Sequence, residues 1–254
     1  MENKVFSTRK QKFKECIHGL NVLPAKLILS CSDEYHGLCW QACPKCGSTS
    51  LMKTFSKRSR VLKENCDFTG VRAILLFTRP IVDRFMSAYG QITFQGYKRK
   101  EKREEAERNK YALVDPNKNA VLRLTLFLDA VEDEKKRKLI PNIDHLVPMI
   151  NFYNDIRSCL RPSFTEAPAL YIIRLDRIEE ELNAVSHILN FSLPRPSFTQ
   201  RHSGTRVGKH MLSKCRKCQM QVAARNTQYT TEQRKRILKL YEKDIECFPE
   251  EEDM

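Results

Sequence analysis

Residues 44–50 read Pro44-Lys45-Cys46-Gly47-Ser48-Thr49-Ser50, a run that groups one glycine, three hydroxyls and a lysine. Backbone N–H groups at the start of a helix point outward, and the helix dipole adds partial positive charge there. If a helix begins at Ser48, Gly47 lets the backbone approach an anion closely. Ser48, Thr49 and Ser50 add hydroxyl donors, and Lys45 adds a full charge. Such a run is a phosphate cradle. It lacks the Gly-Lys-Ser/Thr ending of a Walker loop, and the same residues also suit an ordinary glycine turn with a Ser/Thr helix cap.

A second group of anion donors follows. Arg79 stands directly after the apolar run Val71–Thr78, with Arg84 and Ser87 in the next segment. An arginine at the C-terminal end of a parallel strand faces the crevice where open α/β sheets bind ligands. Its planar fork suits phosphate, and a serine on the following helix can donate a further hydrogen bond. Two strand-to-loop units with anion donors on one sheet edge suit a ligand carrying two separate phosphates. Arg84 can equally be a surface ion-pair residue beside Asp83.

These residues need strands and helices to hold them. Leu38–Cys43 is a short apolar strand running into a loop at Pro44, and a helix is expected from Ser48 to about Glu64 through Leu51, Met52, Phe55 and Leu62. Val71–Thr78 has the continuous apolar pattern of a buried parallel strand, and Ile81–Tyr89 reads as a helix with Ile81, Phe85 and Ala88 on one face. Lys98–Lys110 mixes both charge signs and reads as a solvated helix or flexible excursion. Val121–Val131 is an amphipathic helix, Leu170–Leu175 a buried strand, and Asp176–Leu189 a helix with acidic residues in its first turn. Pro194, Pro196 and Ser203-Gly204 mark a loop. Thr230 can cap a last helix running to about Cys247, with Gln233 completing a capping box and Ile237, Leu238, Leu240, Tyr241 and Ile245 for its buried face. Strands alternating with helices predict an α/β fold with a mainly parallel sheet. Residues 1–30 form a basic extension and 31–250 one domain.

The chain has 254 residues and a formal charge of +14, from 45 Lys+Arg against 31 Asp+Glu, so its partners are expected to be anionic. Charge alone does not choose among nucleic acid, an acidic membrane face, a polyanionic sugar and a phosphorylated cofactor. No run approaches the roughly 18 apolar residues of a membrane span, and the N-terminal basic residues lack the apolar segment of a signal peptide. The chain therefore reads as soluble. Ten cysteines are many for a cytosolic protein and fit an oxidising compartment. Cys43-x-x-Cys46 and Cys215-x-x-Cys218 also have zinc-knuckle spacing, which on a basic chain allows a zinc-stabilised nucleic-acid-binding protein. The long interval between the pairs lies far outside a compact zinc ribbon.

The combination of Pro44–Leu51 (PKCGSTSL) and Arg79–Tyr89 (RPIVDRFMSAY) resembles the two cofactor-binding segments of sulfotransferases that use 3′-phosphoadenosine 5′-phosphosulfate (PAPS). The first is similar to their 5′-phosphosulfate loop. The second is similar to their 3′-phosphate segment, Arg-Asp-Pro-x-x-Arg-x-x-Ser-x-Tyr. Further elements resemble the Golgi carbohydrate sulfotransferases that include the chondroitin 4-sulfotransferases. Asp144–Pro148 (DHLVP) resembles a His-Trp-x-Pro element, and Asp176–Glu181 (DRIEEE) a Glu-Thr-Leu-Glu-Glu-Asp element. Leu240–Phe248 (LYEKDIECF) resembles a terminal Tyr-x-x-Asp-Phe-x-x-Phe through Tyr241, Asp244 and Phe248. The likeness spans roughly residues 38–248. Pro80, Ile81 and Leu146 depart from it, standing where the family has Asp, Pro and Trp, and the family's N-terminal membrane anchor is absent.

The resemblance implies a P-loop-like three-layer fold, a central sheet flanked by helices. It implies PAPS as sulfo donor without a metal, a chondroitin-type acidic glycan as acceptor, and a place in the Golgi lumen or membrane. Pro44, Lys45, Cys46, Gly47, Ser48, Thr49, Ser50, Arg79, Arg84 and Ser87 would bind the cofactor. Sulfuryl transfer should follow phosphoryl-transfer logic, with in-line attack and catalysis by positioning and electrostatics. Lys45 would neutralise charge on the leaving phosphate. The acceptor hydroxyl needs a base, and of six histidines His145 carries the resemblance, with His202 as rival and Asp176 or Glu179 as carboxylate alternatives. A nucleotide kinase is disfavoured by the missing Walker ending, whereas a sulfotransferase homologue without turnover stays open because of Pro80 and Leu146.

Overall fold

The computed structural model describes residues 29–32, 37–43, 46, 48–55, 59–62, 70–96, 119–138, 140, 143–159, 168–195 and 228–247. The chain divides into two compact units. One takes Met1–Pro80, Val147–Ser197 and Tyr241–Met254, and the other takes Ile81–Leu146 and Phe198–Leu240.

The first unit is α/β. Its five-stranded sheet has the order β3-β1-β2-β4-β5, built from β1 (Leu29–Ser32), β2 (Leu38–Ala42), β3 (Ser59–Leu62), β4 (Ala73–Thr78) and β5 (Ala169–Arg174). β2, β4 and β5 run parallel, with Trp40 opposite Leu75 and Leu75 opposite Tyr171. β4, AILLFT, is buried along its whole length, as expected of a strand covered on both faces. The sheet is mixed because β1 pairs antiparallel with both β2 and β3.

This antiparallel edge corrects the expected helix over Ser48–Glu64. The helix α1 stops at Phe55 (Ser48–Phe55), and Leu62 lies in β3. Leu62 has helical spacing from Phe55, but β1 needs a hydrogen-bonding partner on its outer side, and that demand is tertiary. Gly37 leads into β2 at φ 78°, and its carbonyl accepts from Arg72 N–H (2.7 Å) and Ala73 N–H (3.1 Å). A Cβ there would stand 2.5 Å from the Gly70 carbonyl oxygen, so only glycine fits this approach. Cys31 and Cys39, opposite each other in β1 and β2, are joined by a disulfide.

Two more helices complete this unit's described core, and a short third one caps it. The helix expected from Asp176 opens with a 3-10 turn, Leu175–Arg177, before α6 (Ile178–Leu189), which packs on β5 and buries Ile178, Leu182, Val185 and Leu189. α5 (Met149–Cys159) meets the short α8 (Glu242–Cys247). There the buried Asp244 accepts hydrogen bonds from Met149 N–H and Ile150 N–H, both at 2.8 Å, and so caps α5 from across the unit. Asp244→Ala is expected to cost about 2–4 kcal/mol, because two buried N–H groups lose their acceptor. Asp244→Asn, which keeps one oxygen, should lose less. Chemical denaturation measures this, and a loss below about 1 kcal/mol for the alanine variant would remove the capping role.

The described second unit is helical: α2 (Ile81–Gly96), α3 (Ala120–Glu132), α4 (Glu134–Arg137), a 3-10 turn (Ile143–Leu146) and α7 (Thr231–Leu240). Phe85 and Tyr89, one turn apart on α2, meet the Phe127 ring of α3 at 5.8 and 5.0 Å. Asn119 caps α3 by accepting from Val121 N–H. The expected capping box forms: Thr230 N–H donates to Gln233 Oε1 (2.9 Å) and Gln233 N–H to Thr230 Oγ1 (3.2 Å). Gln233 then reaches further, its Nε2 donating to the Val121 carbonyl (2.8 Å) and Thr125 Oγ1 (2.9 Å). Both its amide hydrogens and its carbonyl oxygen are thereby engaged, which permits its burial. The last helix is interrupted at Tyr241, where the chain passes from α7 to α8. Lys98–Lys110 lies outside the described residues.

Candidate functional site

In the first unit the three parallel strands deliver their C-terminal ends to one sheet edge. From β2 the chain leaves at Cys43, whose N–H donates to the Phe77 carbonyl of β4 at 3.0 Å. Cys46 N–H then donates to the Cys43 carbonyl at 3.0 Å, closing a turn two residues before α1 begins. α1 is anchored by Leu51 and Phe55, both buried. The Phe55 ring lies 6.2 Å from Trp40 of β2 and 5.6 Å from Phe77 of β4. This aromatic trio sets where the helix starts relative to the strand ends. Pro44, Lys45 and Gly47, and the side chains of Ser48, Thr49 and Ser50, lie outside the described residues; the backbone of 48–50 forms the first turn of α1, as the cradle requires.

Arg79 follows β4 directly and is half-buried. Because β2 and β4 are adjacent and parallel, Arg79 and the loop that begins at Cys43 share the same sheet edge. The neighbouring strand adds a residue that sequence reasoning missed. Arg174 ends β5, opposite Thr78, with only 4% of its surface exposed. Its guanidinium grips Asp176 bidentately, Nε to Oδ1 at 3.2 Å and Nη2 to Oδ2 at 2.8 Å. Its backbone N–H donates to the buried Glu181 at 2.6 Å. The signal was available, since Arg174 closes the apolar run of β5 as Arg79 closes that of β4. Both oxygens of Asp176 are thus engaged, whereas Glu179 is exposed on the first turn of α6.

In the second unit Arg84, Ser87 and Gln91 occupy α2 at i, i+3 and i+7, one face of the helix. Arg84 is 1% exposed and Ser87 4%, so Arg84 is not the solvated surface charge that pairing beside Asp83 would make it. A buried guanidinium costs several kcal/mol unless matched by partners. Tyr89, on the adjoining face, has its phenol pushed up to about 12 by burial, the charge of Arg123 opposing in part. The hydroxyl therefore stays protonated as a donor.

His145 lies in the 3-10 turn, half-buried, and its Nε2 is 3.0 Å from Gln91 Nε2. Gln91 is the second residue missed. Its helical spacing from Arg84 and Ser87 was the signal, but a glutamine alone announces no chemistry. Leu146, next to His145, is buried. His202, Cys215 and Cys218 lie outside the described residues. Cys43 and Cys46 are buried thiols, and among the described residues no group of three or more His, Cys, Asp or Glu side chains is arranged to hold a metal. No described helix is long and apolar enough to cross a membrane.

No family model, curated protein or solved structure matches this chain.

Proposed function

We propose that the chain is a PAPS-dependent sulfotransferase of P-loop-like fold that sulfates a carbohydrate hydroxyl, with a chondroitin-type glycan as the favoured acceptor. The observation that carries this reading is the parallel pair β2–β4, whose ends present the loop entering α1 and Arg79 on one sheet edge. That edge is where open α/β sheets bind phosphorylated ligands. The resemblance of residues 44–51 and 79–89 then narrows a phosphate site to PAPS. In this reading the residue 44–50 loop takes the 5′-phosphosulfate, and Arg79, Arg84 and Ser87 take the 3′-phosphate. The acceptor oxygen attacks sulfur in line, the bond from sulfur to the bridging oxygen breaks, and 3′,5′-ADP leaves. Lys45 offsets the charge growing on the departing phosphate, and His145 receives the hydroxyl proton.

The Cys31–Cys39 disulfide fits an oxidising compartment, where disulfides persist; the Golgi itself rests on the resemblance alone. The surplus of 14 positive charges exceeds what one nucleotide can use and supports a polyanionic acceptor.

Labelled sulfate transfer from PAPS to desulfated chondroitin, dermatan and heparan tests the reading. Transfer to chondroitin or dermatan is expected, with the acceptor KM rising steeply with salt because exposed charge pairs are screened beyond about 8–10 Å. In the same preparation, 3′,5′-ADP at a hundredfold excess over Kd should add about 2.7 kcal/mol of stability. AMP, lacking the 3′-phosphate, should shift melting less. Transfer to none of the acceptors together with equal shifts from both nucleotides would end the assignment. Preference for a neutral sugar or a phenol would end only its glycosaminoglycan part.

A further inference from the structure

The contact between α2 and the 3-10 turn joins two residues of different kinds. Gln91 projects from the helix face that carries Arg84 and Ser87, and its carboxamide nitrogen meets His145 Nε2 at 3.0 Å. A carboxamide nitrogen can only donate, so the imidazole nitrogen facing it must accept. In a neutral ring that leaves the proton on Nδ1, because which nitrogen is protonated is set by the bond the other makes.

We propose that Gln91 is the positioning residue for His145, selecting its ring tautomer and holding its plane against α2. The pair also has a second form. Rotating the carboxamide by about 180° exchanges its donor for an acceptor at nearly the same heavy-atom positions. When His145 takes a proton, Nε2 becomes a donor and Gln91 answers with Oε1. Gln91 thus holds the ring in either protonation state, as a carboxylate or an aliphatic side chain could not. A carboxylate only accepts, and an aliphatic group does neither. The functional consequence rests on the reading of His145 as the base: the one basic lone pair of the neutral ring is on Nε2, the nitrogen Gln91 holds, so the carboxamide must turn its N–H away before Nε2 takes the hydroxyl proton and then accept that proton's hydrogen bond through Oε1.

The test reads the tautomer directly and needs no substrate. Protein labelled with 15N-histidine gives ring signals for six histidines, and the spectrum of His145→Ala identifies those of His145. Above the ring's titration the wild type is expected to show the Nδ1–H tautomer. Gln91→Leu should replace that single form by a mixture, and Gln91→Glu should drive the ring to Nε2–H. An unchanged tautomer in Gln91→Leu, or an Nε2–H ring in the wild type, overturns the proposal. Should Gln91→Leu not fold, Gln91→Glu gives the same reading. Tautomers that move as expected in a protein without sulfo transfer would leave this proposal standing and remove only the catalytic one. Transfer with an immobile tautomer would do the reverse.

Discussion

Lys45→Ala should lower the turnover of sulfo transfer by about 10²–10³-fold, the loss typical of removing one preorganised charge aimed at a developing anion. In the proposed reaction the bridging and phosphate oxygens gain charge mainly as the sulfur–oxygen bond breaks, so the lysine would act more strongly in the transition state than on bound PAPS. A fall in kcat with little rise in the KM for PAPS is the expected split. Lys45→Arg keeps the charge but replaces a compact ammonium with a broad planar fork, so it should recover only part of the rate. The turn from Cys43 to Cys46 is closed by a backbone hydrogen bond, and 3′,5′-ADP should still stabilise the alanine variant. Steady-state kinetics with PAPS varied at saturating acceptor decide the matter. A kcat within about threefold of wild type would show that the charge of Lys45 is not used in the chemical step.

His145→Ala should reduce turnover on the order of a hundredfold or more while leaving the melting shift with 3′,5′-ADP intact. The two readouts separate because a base touches the acceptor hydroxyl and not the nucleotide phosphates. His145 is half-buried in a short 3-10 turn, so the fold should tolerate its truncation; Leu146, the buried residue of that turn, is retained. Near-normal turnover would pass the role to His202 or Glu179. Asp176 is the poorer substitute on geometry, since Arg174 already occupies both of its oxygens. A loss of turnover accompanied by a loss of the 3′,5′-ADP shift would instead mark His145 as part of the nucleotide site.

Much of this architecture is legible along the chain because its causes are short-range. The run Ala73–Thr78 is apolar without alternation, and such a segment is stable only as a strand covered on both faces. Thr230 and Gln233 satisfy each other's backbone across three residues, so the start of α7 is written in four letters. The phosphate-cradle pattern and Arg79 are legible for the same reason: each lies just beyond an apolar strand.

What the tertiary structure decided are the pairings that couple distant residues. β1 and β3 are four-residue strands, LSCS and SRVL, too short to show a period, and they exist because each satisfies the other's backbone. Asp244 caps α5 across 95 residues of sequence, a role its place in a terminal motif does not disclose. Gln91 meets His145 across 54 residues. Arg84 can be solvated or buried with equal local pattern, and only the packing of the helices makes it buried. Residue type and spacing determine which groups can donate, accept or carry charge. Which of them meet, and which are withdrawn from water, is determined by three-dimensional packing, because desolvation and hydrogen-bond satisfaction depend on neighbours that no local window contains.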